Sequence, residues 1–293
     1  MYKQAYLIIA HKFDNTLRAL LCMLDQVEND IFIHMDIKNT TFNEDECKNL
    51  IKNSSIFFTE RTNVTWGGYS QINSELVLLE AATKHYHYDY YHLLSGQDLP
   101  LKSANYIKDF FLHNKGKEFV GFDGNEFVDL DRVLYRYPLQ ETVGRNRKSF
   151  TGRIAAVITY CQKIFNIKRN KGITFQKGPN WFSITDDLAN YVVEKKSWIK
   201  KVFSNTVCCD EVFLQTVIVN SRFYNHVYQM EFDKNSAEGA VRLVDWERGG
   251  PYVFRIDDYK ELARSKLIYA RKFDCNEDQE IIKSLFEMNY KEI

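Results

Sequence analysis

Four short apolar runs punctuate the first third of the chain, and their spacing limits the fold more than any other feature. They are Ala5-Tyr-Leu-Ile-Ile-Ala10, Asp30-Ile-Phe-Ile-His-Met-Asp36, Ser55-Ile-Phe-Phe-Thr59 and Tyr90-Tyr-His-Leu-Leu94. Helical periodicity fills the gaps: Leu17, Leu20, Leu21 and Leu24 share one face of a helix starting near Asp14, and Ser70 to Ala82 reads as a second helix. Apolar strands alternating with helices predict βαβ units and a largely parallel sheet buried on both faces. In such folds ligands sit at the carboxyl ends of the strands. That directs attention to His11, Asp36 and Ser95-Gly-Gln-Asp98.

The second half reads as a strand at Glu118–Phe122, a helix from about Gly152 to Phe165, a strand at Trp181–Ile184 and a helix starting near Asp186. A helix from Asp210 to Val219, a loop region ending in Arg242-Leu-Val-Asp-Trp246, and helices around Asp258–Arg264 and Glu277–Phe286 follow. There are four prolines, no low-complexity linker and no internal repeat. The expectation is one domain over 1–293, with a nucleotide-binding half at 1–122 and an acceptor-binding and catalytic half at 123–293.

The 39 Lys and Arg balance 39 Asp and Glu, so no global field draws the chain to nucleic acid. The balance hides a local asymmetry. Between Glu141 and Asp186 there is no acidic residue, while Arg145, Arg147, Lys148, Arg153, Lys163, Lys168, Arg169, Lys171 and Lys177 are basic. Ile154, Val157, Ile158, Cys161 and Phe165 lie within that stretch. They are expected either to pack on the core or to dock an amphipathic helix on an anionic membrane.

No apolar run approaches the roughly 20 residues of a membrane span, and Met1-Tyr-Lys-Gln leads straight into a strand without a signal-peptide core. The six cysteines lack C-x-x-C spacing and read as reduced thiols of a cytoplasmic protein. The seven histidines are scattered, so no metal cluster stands out. Walker, G-x-S-x-G and G-x-G-x-x-G motifs are missing, which removes support for P-loop NTPase, α/β-hydrolase and Rossmann dehydrogenase readings.

Five segments raise a specific alternative: His34-Met-Asp-Ile-Lys38, Trp66-Gly-Gly-Tyr-Ser70, Leu93-Leu-Ser-Gly-Gln-Asp-Leu-Pro100, Asp210-Glu211 opening a helix, and Ala270-Arg-Lys-Phe273 after Asp245-Trp-Glu-Arg248. In this order they resemble the core-2/I-branching glycosyltransferases, a family that includes β-1,6-N-acetylglucosaminyltransferases and peptide O-xylosyltransferases. The resemblance implies an α/β, GT-A-like fold and inverting transfer from a UDP-sugar without a divalent metal or other cofactor. It assigns Glu211 as general base, Arg248 and Lys272 as the cations on the leaving diphosphate, and Asp36 as the acid near the uridine. It also places an aromatic residue, Trp246, beside the acceptor.

The residues add further candidates. His11 and Lys38 are neighbours of the nucleotide, and Gly67 and Gly68 would let backbone approach the donor, although a tight turn explains them equally. Asp98 either fixes a turn or contacts acceptor, and Trp181 is a second sugar platform. Asp210 is expected to cap its helix, whose N-terminus would lower nearby carboxylate pKa values. The lone D-x-D, Asp129-Leu-Asp131, lies well past the fourth strand and reads as a solvated turn or helix start.

Animal members carry an amino-terminal anchor and disulfides that this sequence lacks, and residues 123–176 show no match that can be placed residue by residue. The expectation is therefore a bacterial-type enzyme at the inner face of the plasma membrane. It would transfer N-acetylglucosamine, or alternatively xylose, to a glycan or lipid-linked acceptor in surface polysaccharide synthesis. The competing readings are a non-catalytic UDP-sugar or glycan binding module and an inverting glycoside hydrolase, the latter lacking a second acidic motif.

Overall fold

The computed structural model describes residues 2–124, 127–229 and 238–290. Asp14 accepts from the backbone N–H groups of Thr16 and Leu17 and starts helix α1 (Asn15–Leu24), as a side-chain cap should. Leu17, Leu20, Leu21 and Leu24 are all buried on its inner face. Strands β1 (Gln4–Ala10), β2 (Asn29–Met35), β3 (Ser55–Phe58) and β4 (Tyr90–Ser95) follow the four apolar runs and pair in parallel in the order β3-β2-β1-β4. A short helix α2 (Glu44–Lys48) and the long α3 (Tyr69–His85) connect them. Beyond β4 the sheet continues with two antiparallel pairings, giving β3-β2-β1-β4-β7-β6, where β6 is Phe119–Val120 and β7 is Phe182–Ile184.

Both faces of this sheet are buried. Ala5 and Leu7 of β1 join one core with α3, α8 (Asp186–Glu194), α9 (Lys196–Phe203) and α10 (Phe213–Val219). Tyr6, Ile8 and Ala10 join a second core with α1 and α12 (Gln279–Tyr290). Strand order reverses direction at β1, with β2 on one side and β4 on the other. That creates a crevice at their carboxyl ends.

A second sheet, not anticipated, flanks this crevice. Strands β5 (Asp98–Pro100), β8 (Arg242–Val244) and β9 (Tyr269–Arg271) pair in the order β5-β9-β8. The segment expected to be loop at Arg242 is therefore a strand. Its buried arginine donates to the carbonyls of Leu93 in β4, at 3.3 Å, and Phe182 in β7, at 2.9 Å, and lies 4.2 Å from the Tyr269 ring centroid. This guanidinium joins the two sheets.

Helices α4 (Ala104–His113), α5 (Asp131–Leu134), α6 (Gln140–Val143), α7 (Phe150–Ile164) and α11 (Tyr259–Arg264) complete the set. Three expectations change. The strand at Glu118–Phe122 shrinks to two residues, and α10 starts at Phe213 rather than Asp210 because residues 210–212 form a turn. Helix α7 turns its apolar side chains outward, so Ile154, Val157, Cys161 and Phe165 do not pack on the core. Among the described residues no helix is long and apolar enough to cross a membrane, and all six cysteines are free thiols.

Candidate active site

The crevice is lined by positive charge. His11 and Lys12 follow β1, and Lys272 follows β9. Burial, followed by Lys12 and Lys272, lowers the pKa of His11. The Lys272 pKa is lowered by burial first, then by Arg271, with Lys12 and Arg145 acting in the same direction. The Lys272 ammonium forms no hydrogen bond or ion pair among the described residues. Lys272, its charge disfavoured by burial and by the cations around it, is a site an anion would relieve.

Asp36 and Lys38 sit at the same edge. Asp36 is buried, its N–H bonds the Ala10 carbonyl at 2.8 Å, and its carboxylate accepts from the Lys38 N–H at 2.9 Å and pairs with the Lys38 ammonium at 3.0 Å.

Next to this edge is a cavity of about 430 Å³ lined by Trp66, Gln71, Asp129, Asp131, Arg132, Tyr137, Arg147, Lys163, Cys208, Asp210 and Glu211. Arg145 stacks over Trp66 at 5.0 Å, and its charge also acts on Lys272, which links the two regions. The Glu211 backbone carbonyl accepts from Gly178 N–H at 3.0 Å. Its carboxylate faces two cations, Arg132 at 3.4 Å and Lys177 at 3.6 Å.

Asp210 behaves differently from expectation. It does not cap α10, it is buried, and it accepts from Gln71 Nε2 at 2.9 Å. Burial, then the Glu211 charge, pushes its pKa up to about 7, the reverse of the lowering a helix N-terminus would produce. Beneath it lies Glu75, wholly buried and raised well above the carboxylate range by burial and then by Asp210. The Cys208 thiol is pushed up to about 11 by burial, so it is not primed as a nucleophile.

The D-x-D pair is a turn and helix start whose carboxylates serve local cations. Asp129 accepts from Arg132 at 2.6 Å and Asp131 pairs with Lys163. Among the described residues one trio, Asp14, Asp274 and Cys275, brings metal-type ligand atoms together. The Lys12 ammonium already sits there, 2.7 Å from Asp14 and 3.0 Å from Asp274.

Arg248, Asp98 and Trp181 each have protein partners of their own. Arg248 is not a free partner of Lys272: its guanidinium is held by Asp245, by Asp258 at 2.6 Å and by Glu261 at 3.4 Å, and stacks on Tyr252. Asp98 is fully buried, accepting from Ser95 N–H and Oγ at 2.8 and 2.7 Å and pairing with Arg271 at 2.9 Å, so it fixes the loop after β4. Trp181 belongs to the first core, with Arg271 4.5 Å from its ring centroid.

Gly67 and Gly68 make room for protein. A Cβ on Gly68 would lie 2.6 Å from the Glu141 carboxylate, and one on Gly67, whose φ is +71°, would lie 3.0 Å from Cys208 Sγ. Glu141 in turn accepts from Ser70 N–H and Oγ, both at 2.8 Å, and so caps α3 from across the molecule. Trp246 remains exposed, beside Arg248 in a separate cavity lined by residues 243–248 and Glu261.

The family model of the Core-2/I-branching enzymes matches residues 4–264. The chain belongs to the Core-2/I-branching enzyme family. Among curated proteins it is similar to xylosyltransferase oxt of Drosophila melanogaster, 24% identical over 248 residues, covering 79% of this chain and 27% of that protein. It is also similar to xylosyltransferase 2 of Rattus norvegicus, 22% identical over 304 residues, covering 96% of this chain and 33% of the relative. The chain thus spans about a quarter to a third of these relatives. A mouse xyloside xylosyltransferase 1 crystal structure superposes with a TM-score of 0.39 and 10% identity, covering 94% of this chain and 98% of that one.

Within this family member, the residues missed by sequence reasoning are those that partner across long separations. Arg132 and Lys177 reach Glu211, Gln71 reaches Asp210, and Arg145 reaches Trp66. Lys177 and Arg145 had a signal, the acid-free stretch, but nothing in it named their targets.

Proposed function

We propose that the chain is an inverting, metal-independent glycosyltransferase that moves a sugar from a UDP-sugar to a hydroxyl of a glycan or glycolipid acceptor. The observation that carries this reading is the Glu211 carboxylate on a cavity wall adjoining a cationic crevice at the strand ends. In the proposed step Glu211 takes the proton of the acceptor hydroxyl as that oxygen bonds to the anomeric carbon from the face opposite UDP. The bond to the diphosphate oxygen breaks, and UDP leaves with its electron pair.

Arg132 and Lys177 hold the base in place. Lys272, with Lys12, His11 and Arg145 around it, meets the developing diphosphate charge, doing electrostatically what a metal does elsewhere. Asp36 is proposed to receive the nucleoside, and Trp246 an acceptor sugar. The names of the relatives support a xylosyl donor alongside the N-acetylglucosaminyl one. The acceptor is proposed to be a bacterial surface polysaccharide or glycolipid precursor.

The test is UDP release from UDP-N-acetylglucosamine and UDP-xylose, with and without EDTA, using wild type and Glu211→Gln. Turnover should survive EDTA and fall by roughly 10²–10⁴-fold in the variant, the usual contribution of a general base, while UDP binding is retained. Strict manganese dependence would overturn metal independence. UDP binding without turnover on any donor would leave a binding module.

A further inference from the structure

Helix α7 is an amphipathic helix facing the wrong way for a core. Phe150, Ile154, Val157, Cys161 and Ile164 recur three or four residues apart, which puts them on one stripe, and all five are exposed. Phe150 is 79% exposed, Val157 60% and Ile164 59%, and the stripe runs on through Phe165 and Ile167 past the helix end. The inward side is held by Gln162, which bonds the Arg136 N–H and carbonyl, and by Gly152, which packs so closely on Arg147 that a Cβ there would lie 2.4 Å from its carbonyl oxygen; Ala155 and Ile158 are half-buried on it. Water-facing apolar rows of this extent mark interaction surfaces.

We propose that α7 docks the protein reversibly on an anionic lipid surface, its apolar stripe seated at the headgroup boundary and its basic neighbours on the phosphates. Charge decides the occupant. Residues 142–185 carry nine basic and no acidic side chains, and Lys148, Arg153, Lys168 and Lys171 are exposed beside the stripe. A second copy would bring the same sign against itself, whereas an anionic bilayer supplies both the apolar layer and the opposite charge. Arg147 and Lys163 also line the Glu211 cavity, so docking brings its wall to the lipid. If the transferase reading holds, the acceptor is then lipid-linked.

The experiment is sedimentation of the whole chain with phosphatidylcholine vesicles and with vesicles mixing phosphatidylcholine and phosphatidylglycerol. Binding is expected to need phosphatidylglycerol and to weaken as salt rises. Replacing Phe150, Val157 and Ile164 with Ser should cut the partition coefficient on the order of 10-fold per side chain. Changing Lys148, Arg153, Lys168 and Lys171 to Gln should cut it on the order of 10²- to 10³-fold.

All seven side chains are solvent-exposed, and circular dichroism checks that the variants fold. Equal binding to neutral and anionic vesicles, or none to either, overturns the proposal. A dimer in solution that the Ser variants abolish, without vesicle binding, assigns the face to a second copy instead. Vesicle binding is read without sugar transfer, so it stands or falls apart from the transferase reading, whereas turnover lost on every acceptor would sink that reading alone.

Discussion

At Lys272 the surroundings on balance work against the charge: burial, then Arg271, lower its pKa against the opposing pull of Asp274, and no carboxylate of the described residues forms an ion pair with it. An ammonium held this way gains most when a diphosphate arrives. Lys272→Ala is expected to lower kcat by roughly 10²–10³-fold, the scale for one preorganised donor, and EDTA should leave that ratio unchanged. Arg248→Gln should cost less turnover, because its guanidinium already serves three carboxylates.

Glu118 allows a cleaner titration. Buried, it accepts from Thr185 N–H and Oγ1, yet burial outweighs those bonds and its pKa rises to about 7. Below about pH 4, folded and unfolded chains both keep this proton. Between about pH 4 and 7 only the folded chain keeps it, so its stability contribution declines as pH rises and is gone above 7. Compared with wild type, Glu118→Gln should flatten the stability curve across that window by up to about 1.4 kcal/mol per pH unit, measured by urea unfolding at a series of pH values.

The contrast between the two sheets shows what a linear reading reaches at the level of elements. Strands β1 to β4 were legible because parallel strands buried on both faces must be apolar runs, and Asp14 announced α1 by its side-chain cap. The β5-β9-β8 sheet was not: its strands are three residues long, Asp98-Leu-Pro100 has the composition of a turn, and Arg242 looks like surface. Only the fold shows that Arg242 is buried and bonded to carbonyls on three segments.

Burial lowers the Arg242 pKa to about 10, which still leaves it charged at neutral pH. Arg242→Ala would strand the carbonyls of Leu93, Phe182 and Ala240, at about 1–3 kcal/mol for each group left unsatisfied. A loss of at least 3 kcal/mol in denaturant unfolding is expected, and Arg242→Met should not restore it. For α7 the period was legible but its direction was not, since a 3.6-residue repeat does not say which side meets the protein. For the site, Glu211 and Lys272 were named from local motifs, whereas Arg132, which meets Glu211 across 79 positions, leaves no local trace.

At the scale of the whole molecule, the crevice draws on β1, β2 and β9, so a nucleotide there ties together segments from both ends of the chain. UDP should therefore act as a global stabiliser. At a concentration of 100 Kd it is expected to add about 2.7 kcal/mol, read as a rise in the thermal midpoint. The rise should persist in EDTA and shrink in Lys272→Ala. The same long reach governs the seam at Trp66–Ser70, where Gly68 leaves space for the Glu141 carboxylate that caps α3. Alanine at 68 would push the Glu141 carboxylate, the far end of a flexible side chain, off Ser70 and leave the first turn of α3 to find another acceptor.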